Sequence, residues 1–383
     1  MKIVVIGAGM MGRAIAYDLE KYSNFETLTI ADMNKKAIQN VKNFLKSNNI
    51  NYEILDISKK NYAKKLFQKN DVVVSAIPYF FNFELTKIAI ETKTHFLDLG
   101  GNNDVVNQQI NLFNKAKKNN ITVIPDCGLS PGLTSIITHD IVDDLDIIES
   151  VKIRVGGLPL EPKPPFNYQI VFSPNGLINE YVEEGIILEN GKIKTKSSLT
   201  ELEEIVFPEP FGKLEAFITS GGTSTLPFTY KDKIKYLDEK TIRYPGHCEK
   251  FKLLLEMGLG NNKPLKIGNK SIVPRDLLIE LLLKNIPTTG EDVVLCKVIG
   301  KGMKNNEKIE VEYTIIDYFD KEHNITAMMR TTGYPVSILA QMIEQKIINK
   351  HGVFSNEEIV LPKLFFKDLE KRNINVNKEI NKI

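Results

Sequence analysis

The chain has 383 residues, of which 42% are hydrophobic and 26% are charged, and its formal net charge is +2. This composition is typical of a globular protein long enough for two domains, and the near-neutral charge argues against nucleic acid or an anionic membrane surface as a partner. The three cysteines are far apart and no apolar stretch reaches about 18 residues, so the sequence indicates no disulfide framework, no metal site and no membrane-spanning helix. We expect a cytoplasmic protein without a signal peptide.

The first predicted element is a strand over residues 2–6, and it is followed by Gly7, Gly9 and Gly12 in a Gly-x-Gly-x-x-Gly pattern. The strand is aliphatic without alternation, as expected for a parallel strand covered on both faces. In this pattern the first glycine permits a tight turn, the second leaves room for a pyrophosphate, and the third lets the helix pack closely on the strand. The opening of the chain therefore predicts a dinucleotide-binding turn.

A helical pattern runs from Met11 to Leu19, so the backbone N–H groups at the start of this helix would face the phosphates, and Met10 and Met11 are candidate cofactor-binding residues. The next aliphatic run, residues 28–31, ends at Asp32, twenty positions beyond Gly12. An acid at this place accepts hydrogen bonds from the adenosine ribose hydroxyls and repels a 2′-phosphate. The prediction is therefore NAD rather than NADP.

The first third of the chain continues to alternate short aliphatic runs with helical patterns, which is typical of a doubly wound parallel sheet. Further strands are predicted at residues 52–55, 71–77, 95–98 and 122–124. Helices are predicted between them at residues 35–47, 59–69, 83–92 and 104–118. Six strands at this spacing predict an α/β Rossmann domain over residues 1–129.

Beyond this domain the strands become more alternating and hairpin turns appear, which predicts a second, α+β domain over residues 130–331 with a mixed or antiparallel sheet. Its strands are predicted near residues 148–155, 214–219, 292–299 and 308–319. A helix over residues 336–348 and the tail that follows it, together residues 332–383, are expected to pack back on the first domain. Because antiparallel strands leave edges to cover, we expect a homodimer joined through the second domain.

Two loops of the first domain follow strands at the edge of the sheet where ligands bind such folds. The candidate cofactor-binding residues in these loops are Ser75, Ala76, Ile77, Pro78, Gly128 and Leu129. Both loops are also rich in Gly and Pro, so ordinary turn chemistry is the alternative explanation.

Four stretches together resemble the saccharopine dehydrogenase-like family of amino-acid oxidoreductases. They are Gly7-x-Gly9-x-x-Gly12-Arg13, Val73-Val74-Ser75-Ala76-Ile77-Pro78, Cys127-Gly128-Leu129-x-Pro131-Gly132 and Thr241-Ile242-Arg243-Tyr244-Pro245-Gly246-His247. Within the family, the last stretch is similar to lysine 6-dehydrogenase. The resemblance implies NAD-dependent oxidation of L-lysine at its 6-amino group to 2-aminoadipate 6-semialdehyde, which cyclises, with release of ammonia and NADH.

The second domain contains few arginines, and arginine is the preferred partner of a carboxylate. Arg243 is our candidate for binding the substrate carboxylate, with Tyr244 beside it. His247 and Asp98 are candidates for proton transfer, because His titrates near neutral pH and Asp98 ends a strand at the ligand-binding edge. A surface arginine, a structural histidine and a turn-capping aspartate are the corresponding alternatives.

The polar loop over residues 219–225 is expected to be flexible enough to close over substrate, with Thr223 as a substrate-binding candidate and Ser173 as a contributor beside it. Two related activities remain open, a saccharopine dehydrogenase and a polyamine-forming enzyme. A dinucleotide-binding sensor without catalysis is a third possibility, but the sequence has no helix-turn-helix signature or basic stripe to serve it.

Overall fold

The computed structural model describes residues 1–383, and the chain divides into two compact units. The first unit consists of Met1–Asp140 and Met329–Ile374, and the second of Ile141–Met328 and Asn375–Ile383. No helix combines the length and the apolar character that crossing a membrane requires.

The strands are, in chain order, β1 Lys2–Ile6, β2 Thr27–Asp32, β3 Ile50–Ile54, β4 Val72–Ser75, β5 His95–Asp98, β6 Thr122–Ile124, β7 Ile147–Pro159, β8 Gly185–Glu189, β9 Lys192–Lys196, β10 Glu203–Phe207, β11 Gly212–Ile218, β12 Ile234–Arg243, β13 Leu265–Ile267, β14 Lys270–Ile272, β15 Asp292–Lys304, β16 Glu307–Tyr318, β17 Gly352–Val353 and β18 Asn377–Lys382.

The helices are α1 Met10–Tyr22, α2 Lys35–Phe44, α3 Lys60–Phe67, α4 Asn82–Thr92, α5 Asn103–Ile110, α6 Phe113–Lys118, α7 Leu133–Asp144, α8 Pro174–Val182, α9 Leu226–Tyr230, α10 His247–Glu256, α11 Pro274–Asn285, α12 Ala327–Glu344, α13 Asn356–Ile359 and α14 Pro362–Glu370.

The first unit contains a seven-stranded parallel sheet in the order β17-β6-β5-β4-β1-β2-β3. β1 lies between β4 and β2, so the strand order reverses there, and the loops after β1 and β4 leave the sheet at the same edge. The aliphatic residues of β1 and β4 are almost completely buried, as expected for strands covered on both faces. The predicted doubly wound parallel sheet is confirmed.

The second unit contains a nine-stranded mixed sheet whose main path is β10-β11-β12-β7-β15-β16-β18. β12 and β7 are parallel, and the other pairs along the path are antiparallel. The hairpin of β8 and β9 joins the sheet through β12. The predicted second α+β domain with a mixed sheet is confirmed.

Three differences from the sequence predictions affect the domain organisation. The units separate inside α7 at Asp140 rather than at residue 129. The C-terminal helix begins at Ala327 and runs through Pro335, whereas the sequence predicted a start at Val336 because proline usually ends a helix. The last nine residues, Asn375–Ile383, belong to the second unit because β18 pairs with β16, so residues 332–383 do not act as one segment.

Candidate functional site

The glycine-rich turn after β1 has the backbone that the sequence pattern requires. Gly7 has a φ of +100°, and a Cβ there would lie 2.6 Å from the carbonyl oxygen of Ala76. A Cβ on Gly12 would overlap the carbonyl oxygen of Gly7, whereas a Cβ on Gly9 would meet no atom within 4 Å. Two of the glycines are therefore needed for packing within the protein, and Gly9 keeps an open space clear beside the turn.

At the start of α1, beside this open space, no side chain caps the first backbone N–H groups of the helix. Gly9 is the N-cap residue and offers no side-chain acceptor, and the first turn, with Met10 and Met11, contains no acidic residue. Unsatisfied N–H groups and the positive end of the helix dipole favour an anion there. The residues thus fit the pyrophosphate of a dinucleotide.

Asp32 connects the end of β2 to the same turn. Its carboxylate accepts hydrogen bonds from the backbone N–H groups of Ala8 and Asn34, each at 2.7 Å. Each carboxylate oxygen retains acceptor capacity, so Asp32 could also accept hydrogen bonds from ribose hydroxyls. Two exposed cations, Lys35 and Lys36, follow in the first turn of α2.

The loop after β4 contacts the glycine-rich turn through its backbone. The N–H of Ala76 donates to the carbonyl oxygen of Ile6 at 2.7 Å. The buried hydroxyl of Ser75 donates to Oδ1 of Asn82 at 2.9 Å, which shapes the loop and leaves this side chain without a free donor. Ile77 is half-buried and Pro78 is exposed.

The loop after β6 contains a residue in an unusual conformation. Asp126 has a φ of +59°, and its carbonyl oxygen and that of Pro125 accept hydrogen bonds from Nδ2 of Asn356 at 2.9 and 3.0 Å. Gly128 and Leu129 are buried, and their carbonyl oxygens accept from backbone N–H groups at the start of α7. Asn356, which the sequence analysis did not identify, therefore holds this loop from far along the chain.

Asp98, at the end of β5, is completely buried. Its carboxylate accepts from the N–H of Gly100 and from Nε2 of Gln109, both at 2.7 Å. Burial raises the pKa of Asp98 to about 6, against the opposing effect of these donors. A carboxyl with this pKa changes its protonation near neutral pH, as a proton-transfer group requires. The catalytic role of Asp98 stays a prediction.

In the second unit, Arg243 ends β12 and is only 4% exposed. Its Nε donates to the hydroxyl of Tyr181 at 3.0 Å and its Nη1 to the carbonyl oxygen of Ile242 at 2.8 Å. The guanidinium carbon lies 4.8 Å from the centre of the Tyr168 ring. No carboxylate of the protein forms an ion pair with Arg243. Arg243 is therefore a buried cation without a protein counterion.

His247 lies behind this arginine and is 1% exposed. Nδ1 is 3.1 Å from the carbonyl oxygen of Phe166, which can only accept, so Nδ1 carries the proton. Nε2 then accepts from the hydroxyl of Tyr181 at 3.0 Å. Burial, with the nearby Arg243, lowers the pKa of His247 well below its usual value. The geometry makes His247 a neutral support for Tyr181, which differs from the proton-transfer role that we expected.

The other predicted substrate-binding side chains contact the protein itself. The hydroxyl of Tyr244 donates to the carbonyl oxygen of Pro159 at 3.0 Å, and Ser173 caps the N-terminus of α8. The hydroxyl of Thr223 donates to the carbonyl oxygen of Ile186 at 2.7 Å. Most of the loop over residues 219–225 is buried in this structure, and its closing over substrate stays a prediction.

Three further polar side chains in the second unit were not identified from the sequence. The Tyr168 hydroxyl is buried without a hydrogen-bond partner, and burial raises the pKa of Tyr168 to about 12. Glu180 on α8 and Glu239 on β12 have no ion-pair partner, and they interact electrostatically with each other. The sequence spacing could have identified Glu239, because residues four apart on a strand lie on the same face, and Glu239 is four residues before Arg243.

Comparisons with known proteins agree with this organisation. The family model described as "Saccharopine dehydrogenase NADP binding domain" matches residues 3–124, and that described as "Saccharopine dehydrogenase C-terminal domain" matches residues 128–374. The glutamate-forming, NADP(+)-dependent saccharopine dehydrogenase of Saccharomyces cerevisiae is 24% identical over 318 residues, which are 80% of this chain and 70% of that protein. The corresponding protein of Pyricularia oryzae is 23% identical over 63% of this chain, which spans about half (54%) of that relative.

Two solved structures share the fold. Apo saccharopine dehydrogenase (L-Glu forming) from Saccharomyces cerevisiae has a TM-score of 0.82 at 19% identity, with 99% of both chains covered. Homospermidine synthase from Legionella pneumophila, in complex with NAD, has a TM-score of 0.66 at 14% identity, with 99% of this chain and 91% of that chain covered. With both family models matched over nearly the whole length, the chain belongs to the saccharopine dehydrogenase family of amino-acid oxidoreductases.

Proposed function

We propose that the protein catalyses the nicotinamide-dependent oxidative deamination of L-lysine at its 6-amino group. The observation that supports this proposal is Arg243, a buried guanidinium with no protein counterion. An unpaired buried charge is costly, so it persists where a ligand of opposite charge completes the site. Two of its five N–H donors are used within the protein, and the remaining three suffice for a bidentate carboxylate.

The number of such cations favours a substrate with fewer than three carboxylates. Arg154 is buried in the same sheet, but it pairs with both oxygens of Asp238 at 2.8 and 3.0 Å. Arg275 is buried without an ion pair, and it donates to the neutral oxygens of Asn175 and Asn179. Lysine has one carboxylate, whereas saccharopine has three. The second unit therefore offers two buried arginines without a carboxylate partner, which are enough for lysine and too few for saccharopine.

The proposed reaction converts the lysine CH₂–NH₃⁺ group, water and the oxidised cofactor into an aldehyde, ammonium, the reduced cofactor and a proton. The cofactor, when bound at the glycine-rich turn, supplies the hydride acceptor. The reacting amine must lose a proton before its C–H bond can give up hydride, because the nitrogen lone pair forms the imine. Asp98 has a pKa of about 6 and is our candidate for accepting that proton.

We propose NAD as the cofactor, because the Asp32 carboxylate at the end of β2 would repel the 2′-phosphate of NADP. The alternative is NADP, which is named in the description of the matched family model. Lys35 and Lys36 would then be the cations that bind the phosphate.

Saccharopine oxidation is the second candidate function, since the matched relatives are saccharopine dehydrogenases. We further propose a homodimer that covers the open edge of the second sheet at β10, where Val206 is 54% exposed. The mass of the purified protein, measured by light scattering after size-exclusion chromatography, tests the dimer.

A substrate screen with the purified full chain tests the function. L-lysine, L-ornithine and saccharopine are each offered with NAD or NADP, and reduced cofactor and ammonia are both measured. We expect lysine to give equal amounts of reduced cofactor and ammonia, and saccharopine to give little of either. Reduced cofactor from saccharopine but not from lysine would assign the protein to the second candidate function.

A further inference from the structure

A chain of hydrogen bonds leads to Arg243, and each proton in it has one direction. Nδ1 of His247 donates to the carbonyl oxygen of Phe166 at 3.1 Å, so Nε2 is an acceptor. The Tyr181 hydroxyl donates to this Nε2 at 3.0 Å, and its oxygen accepts from Nε of Arg243 at 3.0 Å. His247 therefore holds the Tyr181 proton away from Arg243 and leaves the oxygen lone pairs for the guanidinium.

Aromatic packing fixes both members of this chain. The imidazole of His247 stacks on the Phe251 ring, with centroids 4.7 Å apart and planes 25° apart, and lies nearly parallel to the Phe217 ring at 6.3 Å. The Tyr181 ring meets Phe251 edge-on at 5.1 Å. His247 and Tyr181 are both buried, and side chains in such packing keep one rotamer. Neither residue is therefore free to turn towards another partner.

One of the two edges of the Arg243 guanidinium keeps its N–H groups. A guanidinium can bind both oxygens of a carboxylate along Nε and Nη2 or along Nη1 and Nη2. Tyr181 occupies Nε, and the carbonyl oxygen of Ile242 accepts from one of the two N–H groups of Nη1 at 2.8 Å. The guanidinium carbon lies over the Tyr168 ring, 4.8 Å from its centre. The Nε–Nη2 edge is thus blocked, and the Nη1–Nη2 edge keeps three N–H groups.

Arg154, on the adjacent strand β7, has the same contacts and also holds a carboxylate. Its Nε donates to Glu203, and its Nη1 donates to the carbonyl oxygen of Ile153, the residue before it, as Nη1 of Arg243 does to its own preceding residue. Nη1 and Nη2 of Arg154 also bind the two oxygens of Asp238, at 2.8 and 3.0 Å. Arg243 repeats the contacts of Nε and Nη1 but has no protein carboxylate on the Nη1–Nη2 edge.

We propose that Tyr181 and His247 are positioning residues that reserve the Nη1–Nη2 edge of Arg243 for the two oxygens of the substrate α-carboxylate. This inference rests on the proposed function, in which Arg243 binds that carboxylate, and it adds which guanidinium atoms bind it and which residues aim them. Tyr181 keeps Nε occupied, and His247 keeps the Tyr181 proton away from Arg243. Because the carboxylate does not react, both residues should affect substrate binding rather than the rate of the bound complex.

A crystal structure of the full chain with oxidised cofactor and L-norleucine tests the edge directly. Norleucine has the head group of lysine and no distal amine to be oxidised. We expect its carboxylate oxygens about 3 Å from Nη1 and Nη2, with Nε still on Tyr181. A carboxylate bound to Nε, or norleucine bound away from Arg243, would overturn the inference without any variant.

Calorimetry with norleucine and L-norleucinamide measures the contribution of Tyr181. The amide has nearly the same shape and no carboxylate charge, so we expect the unmodified protein to prefer norleucine at least about thirtyfold. Tyr181→Phe should reduce this preference at least about fivefold, as for the loss of one hydrogen bond. Tyr236→Phe should retain it, because that hydroxyl donates to Asp238 at 3.0 Å and not to Arg243. A loss of stability alone would weaken both ligands equally and leave the preference unchanged.

Two substitutions of His247 separate its two hydrogen bonds. Glutamine can place its amide oxygen near the position of Nε2 and still accept from Tyr181. Asparagine reaches only the position of Nδ1, so it can keep the contact with Phe166 but not that with Tyr181. We expect His247→Gln to keep most of the preference for norleucine and His247→Asn to lose it as Tyr181→Phe does. Equal preferences in the two variants would reject the role of His247.

Lysine kinetics distinguish the failure of this inference from the failure of the proposed function. Tyr181→Phe should raise KM for lysine at least about fivefold and change kcat by less than about twofold. A folded Tyr181→Phe variant with an unchanged preference for norleucine would overturn the inference, as would a lack of norleucine binding. Norleucine bound on the Nη1–Nη2 edge of a protein that does not oxidise lysine would support the inference and reject the proposed function.

Discussion

Two buried arginines in the second sheet should respond in opposite ways to the same substitution. Arg154 and Arg243 lie on β7 and β12 and are 1% and 4% exposed. Arg154 forms a two-bond ion pair with the buried Asp238, whereas Arg243 has no counterion. Methionine fills a similar volume in each place without the charge. Arg154→Met should therefore reduce stability, and Arg243→Met should reduce substrate binding.

The expected magnitudes follow from what each substitution leaves behind. Arg154→Met leaves the Asp238 carboxylate buried without its cation, which costs about 3–5 kcal/mol and lowers the thermal midpoint by roughly 6–20 °C for units of this size. Arg243→Met loses two hydrogen bonds and the contact with the Tyr168 ring, but it also removes an uncompensated charge. These effects oppose each other, so we expect the midpoint to change by no more than about 4 °C.

Substrate binding should be weakened more by Arg243→Met than by Arg154→Met. A bidentate charge-assisted pair is worth about 2–3 kcal/mol, so Arg243→Met should raise KM for lysine roughly 30- to 150-fold. Because the carboxylate does not react, kcat should fall much less. Thermal unfolding and steady-state kinetics on both variants measure these effects. A large loss of stability in Arg243→Met would mean that the arginine supports the fold, and an unchanged KM would remove it from the carboxylate site.

Three further predictions concern the first unit. Gly9→Ala should weaken dinucleotide binding at least about tenfold with no change in thermal midpoint. Gly12→Ala should instead lower the thermal midpoint, because its Cβ would overlap the carbonyl oxygen of Gly7. Calorimetry measures the change in binding, and thermal unfolding measures the change in midpoint. Asp32→Ser combined with Met33→Arg should shift kcat/KM towards NADP by at least about tenfold, and a wild-type preference for NADP would contradict our interpretation of Asp32. Since burial raises the pKa of Asp98 to about 6, the protonated Asp98 stabilises the fold at low pH, and this contribution is lost as the pH rises through 6. Relative to the Asp98→Asn variant, the wild type should therefore lose about 2 kcal/mol of unfolding free energy between pH 4.5 and pH 7.5. Denaturant titrations of both proteins at the two pH values measure this difference.

The first unit could be predicted from the sequence because its determinants are local. The buried strand, the three glycines and Asp32 all lie within 32 consecutive residues, and each has a fixed role in the turn. Asn356 could not be found in this way. Its contact with the loop at Asp126 joins residues 230 positions apart, and an asparagine after a serine at a helix start looks like ordinary capping.

β12 was not predicted as a whole because its sequence does not resemble a buried strand. The run Asp238-Glu239-Lys240 is strongly polar, and such runs usually lie in solvent. The structure buries it because Arg154 and Glu203, on other strands of the sheet, neutralise Asp238 and Lys240. Those partners are far away in the sequence, so periodicity cannot reveal them.

The charge that remains unpaired after this neutralisation bears on the choice of substrate. Glu239 and Arg243 are buried and Glu180 is partly buried, and none of the three forms an ion pair. Burial raises the pKa of Glu180 to about 7 and that of Glu239 to about 8, so the summed charge of the three groups changes with pH from +1, with both carboxyls protonated, to −1, with both ionised. Lysine, with two ammonium groups and one carboxylate, has a charge of +1 and would neutralise the ionised state. Saccharopine, with three carboxylates and two amino groups, has a charge of −1 and would neutralise the protonated state. In a buried site, where charges are weakly screened, a rising pH should therefore favour lysine over saccharopine.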